Sequence, residues 1–576
     1  MKRMYGLIMF AVVVAFFGAL QLFSGCDNLT SEDTSTATDA ITGDTATGDT
    51  ATGQDTGSTE NVTHKSGETI SSSQKWSGTH ILEGNLYIKA PVEIAPCTKI
   101  SIAANAKIVV SNSGSIKSIG TKDCPVVFTS AKDSKAKGDW NIIEIYSTAS
   151  SDNAFDWTIL EYGGNGDYGV LWIDDNVSIK IDNTTFDNSK SYGVYIEKDA
   201  KVDSFSGNKF TNIDLNPIHI EASEVGLLNV IETSNNTQNS VLVNGGTVSK
   251  AAVWKNIGIP YYLKSNIYIK AEVEIEKGNT MLVGNGVKIV VSDKGSIKSV
   301  GTKEKPITFT SSKSSKGKGD WERIDIYATS SSDNAFDWTV LEFGGDGDYG
   351  LMWIEESAKV TIDNTVFSNS NTYGLWLENG AEVGSFSGNT FTNIDLNPIY
   401  LTAEGVGQLD KIQTSNNAKN TVLIDGGTVE KAATWKNLGI SYETKANISF
   451  HAPVMVEAGT TFLLAPNNKL SINNSGSLKL AGTQDANITI KSAKASPAKG
   501  DWEEIDIYAT SNNDNVWSYV NIMYGGGGDY GQVWVEDGAS LTLNNCKFSE
   551  SKVCDIYMED GANVVNSGST YTVCQH

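Results

Sequence analysis

From residue 64 onward, apolar and polar residues alternate in short bursts. Leu171-Trp172-Ile173-Asp174, Val194-Tyr195-Ile196-Glu197 and Ile218-His219-Ile220-Glu221 follow one another at spacings of 23 and 24 residues, with Gly, Asn, Asp and Ser between them. A period of two sends neighbouring side chains to opposite faces of a strand. Leu171 and Ile173 are therefore expected inside, with Trp172 and Asp174 outside. Few segments show an apolar period of 3.6, so helices should be scarce. Phe186 and Phe210 lie 24 residues apart, as do Phe367 and Phe391. Strands recurring at such a period are the signature of a solenoid. No regularly spaced leucines occur, which excludes leucine-rich repeats. Asn in the turns tolerates left-handed backbone angles and can stack into ladders.

A longer repeat encloses the short one. KGDW occurs at Lys137–Trp140, Lys318–Trp321 and Lys499–Trp502, each copy 181 residues after the last, and GDYG recurs from Gly166, Gly347 and Gly528 at the same offset. NIDLNPI begins at Asn212 and Asn393, and Trp254 is matched by Trp435. Three tandem modules follow: 64–251, 252–432 and a shortened 433–576, which stops before its NIDLNPI segment would begin.

The N-terminal stretch has a different character. Lys2 and Arg3 precede an apolar run from Leu7 to Phe23, ending in Ser24-Gly25-Cys26. Small residues before a cysteine resemble the lipobox of bacterial lipoprotein signals, although Phe23 stands where Leu is usual. The resemblance implies a signal peptide over 1–25, cleavage before Cys26 and a diacylglycerol on its sulfur. An uncleaved anchor is the alternative, since the run is nearly long enough to span a bilayer. The abrupt change of composition after Cys26 favours cleavage. Residues 26–63 hold no Lys, Arg or aromatic residue. Such a segment buries too little apolar area to offset its ordering entropy, and is expected to be a disordered tether. The implied location is the cell envelope, at the outer membrane or surface of a bacterium.

Charge narrows the partners. The formal net charge is −24, and only Arg3 and Arg323 are arginines. Nucleic-acid binding needs clustered cations and is excluded. Chemistry that leans on several bidentate guanidinium groups is excluded with it.

The motifs WKNIGIPY (Trp254–Tyr261), WKNLGISY (Trp435–Tyr442) and the three KGDW copies resemble the right-handed parallel β-helix family, the pectin-lyase-like architecture, in its bacterial surface modules. The resemblance covers residues 64–576. It implies an all-β, right-handed parallel β-helix solenoid of about 20 coils, roughly 90–100 Å long at ~4.8 Å per coil. This architecture hosts lyases, hydrolases, adhesins and inert spacers, so function has to be argued from the site.

The alternation predicts outward aromatic columns beside carboxylates. In module one they are Tyr146, Trp172, Tyr195 and His219 beside Asp174, Glu197 and Glu221. In module two they are Tyr327, Trp353, Trp376 and Tyr400 beside Glu355 and Glu378, and in module three Tyr508, Trp534 and Tyr557 beside Glu536 and Glu559. Ring faces contact the apolar C–H side of a pyranose, and carboxylates accept hydroxyl hydrogen bonds, so these residues, apart from His219, Glu221 and Tyr400, are the carbohydrate-binding candidates. Stacked aromatics that merely stabilise a sheet are the structural alternative, at about 0.2–1 kcal/mol per pair. A polysaccharide or a cell-surface partner is the expected ligand, and one long glycan running over two or three modules would gain from multivalency.

No cofactor or metal is required. Aligned carboxylates make calcium a candidate, and GGNGDYG (Gly163–Gly169) resembles calcium nonapeptides, but its Asp167 falls one residue early. A Gly-rich turn closing a long coil is the favoured role. Relatives that cleave pectin by β-elimination use an arginine base, whereas the positions matching Arg323 are Ile142 and Glu504. The five His residues follow no module pattern. A non-catalytic protein is favoured; the alternatives are a polysaccharide-active enzyme using Arg323, Asp325 and nearby carboxylates, or a passive stalk. Cys97 with Cys124, and Cys554 with Cys574, are each about one coil apart and plausible bridges. Cys546 is then left over, and Cys546–Cys574 remains an alternative.

Overall fold

The computed structural model describes residues 61–575. The expected signal peptide, Cys26 and the expected tether up to residue 60 lie outside the described residues. The expected boundary at residue 64 falls inside the first strand, Asn61–His64, which pairs in register with Thr79–Leu82.

The strands are three to six residues long, and one turn lays three of them on three sides. The first side begins as an eight-stranded sheet from Asn61–His64 to Glu232–Ser234. The second begins as a fifteen-stranded sheet from Glu68–Ile70 to Gln413–Ser415. The third begins with six strands, Gln74–Trp76 to Lys201–Ser206. Strand pairing is parallel throughout, and Thr121–Cys124 is an isolated antiparallel bridge. The fold is a parallel β-helix.

Alternation decides what lies inside. Leu171, Ile173, Val194, Ile196, Ile218 and Ile220 are all 0% exposed and belong to one continuous apolar core. Each fully buried aliphatic side chain contributes about 1.5–3 kcal/mol of transfer free energy. Phe186 stacks on Phe210 and Phe367 on Phe391, both at 4.7 Å with ring planes 2° apart. The 4.7 Å spacing is about one rise per turn, so each paired ring lies almost directly over the other. Turns use left-handed Asn at equivalent places: Asn183 (φ 46°), Asn364 (φ 45°) and Asn545 (φ 54°).

The module repeat and the turn repeat do not coincide. Equivalent strands such as Ile143–Ile145 and Ile324–Ile326 are twenty-one strands apart, and the 3-10 helix Ala222–Leu227 occupies one further side. Twenty-two sides on a three-sided turn make seven turns and one side over. Each module is therefore shifted onto the next face. The fifteen-stranded sheet carries the Trp172 strand in module one, but in module two it carries Ile307–Ser311, the equivalent of Val126–Ser130. The Trp353 strand lies in a thirteen-stranded sheet on the third side, and the Trp534 strand in a seven-stranded sheet of its own.

KGDW is a structural motif. Trp140, Trp321 and Trp502 are 0% exposed, and each donates its indole N–H to a backbone carbonyl at 2.8, 2.8 and 3.0 Å. The preceding Asp139, Asp320 and Asp501 accept from Lys132, Lys313 and Lys494 at 2.7, 2.8 and 2.7 Å. The glycine of each later loop lies flat on the Trp ring, and a Cβ on Gly163 would sit 2.8 Å from Trp140 ring atoms. The sulfurs of Cys97 and Cys124, and of Cys554 and Cys574, pair, leaving Cys546 buried and free.

Candidate functional site

Each module displays one aromatic cluster, built on consecutive outward positions of a single sheet, three in the first two modules and two in the third. Pairing places Glu144 beside Trp172, Trp172 beside Tyr195, and Tyr195 beside His219. In module two the row is Asp325, Trp353, Trp376, Tyr400, and in module three Asp506, Trp534, Tyr557. The position expected for Tyr146, Tyr327 and Tyr508 is thus held by a carboxylate. The tyrosines come two residues later, because each follows its strand rather than sitting within it. Tyr146 and Tyr327 still reach the row, edge-on to Trp172 at 5.1 Å and to Trp353 at 5.4 Å.

The tryptophans are half-buried and fixed in orientation. Trp172, Trp353 and Trp534 each donate the indole N–H to the glutamate of the next turn, Glu197, Glu378 and Glu559, at 3.1 Å in all three modules. The neighbouring acids Asp174, Glu355 and Glu536 accept backbone N–H groups of Ser147, Ala328 and Ala509 at 2.9, 2.7 and 2.9 Å. The glutamates of the next turn thus hold the rings, and the acids beside the tryptophans hold the preceding turn. Burial raises the carboxyl of Glu197 above its ordinary range, against the Trp172 hydrogen bond.

The GDYG loop supplies rings that the strand pattern does not contain. Tyr168 leans over Trp172 and Tyr195 at 5.7 and 5.3 Å and is 49% exposed. Tyr349 does the same over Trp353 and Trp376 at 5.1 and 5.0 Å, and Tyr530 stacks on Trp534 at 4.0 Å. The thrice-repeated tyrosine of GDYG was the available signal for this contribution.

At the far end of the row, His219 and Tyr400 are not the exposed aromatic positions expected. They point outward but are only 4% and 5% exposed. His219 stacks on Tyr195 at 3.8 Å and is covered by Tyr192 at 5.1 Å, while Tyr373 covers Tyr400 at 5.2 Å. Burial lowers the His219 pKa to about 4, with Lys264 adding to the effect, so its ring is neutral near pH 7.

Beneath the loop the modules differ. Lys107 pairs with Glu144 at 2.9 Å. In module two Arg323 is 8% exposed and donates to Asp325 at 2.6 Å and Glu322 at 2.8 Å, with its guanidinium 5.0 Å from the Tyr349 ring. Module three replaces that arginine with Glu504 and leaves Lys469, 3.7 Å from Asp506, as the local cation. Among the described residues no three His, Cys, Asp or Glu side chains converge as a bound metal requires.

Residues 60–176 match the family model of the pectate-lyase-like beta helix domain, in agreement with the parallel β-helix that the described residues form. A search of curated proteins finds no match to this chain.

Proposed function

We propose that the protein is a non-catalytic, lipid-anchored polysaccharide-binding protein of the cell envelope, whose sites are the three aromatic clusters. One observation carries this reading. The same half-buried tryptophan, locked by the same 3.1 Å indole hydrogen bond, stands beside a raised loop tyrosine in every module. A ring already fixed loses little freedom when a sugar stacks on it, and preorganisation of this kind favours affinity. The ligand class follows from charge. A chain of net charge −24, with carboxylates beside each ring, repels polyuronates and other polyanions. Neutral pyranose polymers with equatorial hydroxyls present flat C–H faces to the rings and hydroxyl donors to the acids. Arg323, the natural candidate for a base, already donates to two carboxylates and has no counterpart in the other modules.

The test is calorimetric titration of the full chain, in mild detergent, with cellotetraose. Saturable heat is expected for the parent and none for the variant carrying Trp172→Ala, Trp353→Ala and Trp534→Ala, with the far-ultraviolet dichroism of the two alike. A passive stalk gives the other outcome: no heat from the parent, and only a lower melting temperature in the variant.

The anchoring part of the reading rests on the Ser24-Gly25-Cys26 sequence. A diacylglycerol supplies two acyl chains, enough for stable attachment. Cys26→Ser should abolish metabolic labelling with palmitate, and labelling that survives the change would rule out this anchor.

A further inference from the structure

We infer that the three sites face three different directions and that the protein bridges separate polysaccharide strands rather than running along one. The inference rests on the polysaccharide-binding reading and adds its geometry. The Trp172 row lies on the second side of the turn, the Trp353 row on the third, and the Trp534 row on the first.

The connections establish this order. The sheet holding Trp172 passes into module two through Val241–Val243 and Tyr261–Leu263 and there becomes the side preceding Trp353. The 3-10 helix Ala222–Leu227 fills the third side between Lys201–Ser206 and Gly246–Val248, and the sheet that begins there carries Trp353. Its counterpart Ala403–Gln408 does the same one module later, handing the Trp534 row to the remaining side.

Sheet twist could undo such a shift if each turn rotated strongly on the last. The stacked phenylalanines show little of it at their step: their centroids are 4.7 Å apart in both complete modules, about one rise per turn, so one ring lies almost directly over the other. Seven turns and one side place successive sites about 35 Å apart along the axis at ~4.8 Å per turn. A straight glucan lying on one row therefore leaves the other two facing away from it. The multivalent gain open to sites along one line gives way to three independent sites, the arrangement of a cross-linker in a polysaccharide mesh.

The experiment uses the full chain in mild detergent with two probes, cellotetraose and soluble hydroxyethylcellulose. Cellotetraose should saturate at three per chain. Trp172→Ala, Trp353→Ala or Trp534→Ala should each reduce that to two without changing the affinity of the rest. Mixing the parent with hydroxyethylcellulose should give light-scattering networks at intermediate ratios, which disperse when protein or cellotetraose is in excess. A variant retaining one tryptophan of the three should bind the polymer without forming networks. Three cellotetraose sites combined with only soluble polymer complexes, and a much tighter affinity for polymer than for tetraose, would overturn the inference and leave the binding reading standing. No cellotetraose binding at all would remove both.

Discussion

Ile196→Asp is expected to destabilise the surrounding turns by several kcal/mol, while the adjacent Glu197→Gln leaves them almost unchanged. Ile196 is 0% exposed, its side chain in the continuous apolar core between Ile173 and Ile220 of the neighbouring turns. An aspartate there has no cation to pair with, and an unpaired buried carboxylate costs several kcal/mol or takes up a proton. Glu197 lies one residue on, half-buried, and accepts the Trp172 indole N–H at 3.1 Å. The amide oxygen of glutamine accepts the same bond. Because each turn of a solenoid touches only its neighbours, the damage should be local. Hydrogen exchange is the fitting measurement: strands Leu171–Ile173 and Ile218–Ile220 should lose protection in the first variant and keep it in the second. Equal loss in both would mean that the alternation has been misassigned.

The second large effect is a pH dependence centred on module three. Glu504 is 6% exposed and its pKa is pushed up to about 7 by burial, with Asp506, Glu503 and Asp529 adding to the rise and Lys469 opposing it. Asp506 is 0% exposed, and burial takes it to about 6, against the opposing pull of the Tyr508 hydroxyl and of Lys469 at 3.7 Å. Both acids hold protons in the folded chain that they release when unfolded, at pH values between about 4 and 7. Stability from this pair is thus fully present below about pH 4 and lost as pH rises through 6 and 7. The rise at Glu504 corresponds to about 3 kcal/mol at about 1.4 kcal/mol per pH unit. Glu504→Gln should remove about half of this slope and raise the melting temperature of module three at pH 8 but not at pH 4. Buried His80 and His219, with pKa values near 4, act in the opposite direction as pH falls, so the parent-minus-variant difference is the quantity to read. A difference that does not change between pH 4 and pH 8 would contradict the assignment.

Much of the fold was legible because a strand has a period of two. Leu171, Ile173, Val194 and Ile196 could be placed inside, and Trp172 and Tyr195 outside, from their order alone. The 24-residue Phe spacing likewise marked one turn. What could not be read came from outside the strands. Tyr192 and Tyr373 sit in turns that fold back over His219 and Tyr400, so two outward positions end up buried. Tyr146 and Glu144 share an outward phase, and only the pairing of Glu144 with Trp172 shows which stands in the row. The shift from face to face was hidden for a different reason. It depends on counting the segment ASEVGL as a side, and that segment forms a 3-10 helix with no strand pattern to reveal it.

If the half-buried rings of each module are sugar-contact surfaces, a bound sugar must shield them from acrylamide, which quenches the fluorescence of exposed tryptophans. Seven of the thirteen tryptophans, Trp76, Trp140, Trp254, Trp321, Trp435, Trp502 and Trp517, are no more than 2% exposed and shielded from the quencher. Trp172, Trp353, Trp376 and Trp534 in the clusters are partly open to it, as are Trp157 and Trp338 elsewhere. Saturating cellotetraose should cut the quenching constant of the parent markedly and leave that of the triple Trp→Ala variant unchanged. A parent whose quenching is the same with and without the sugar would show that the rings are not sugar contacts.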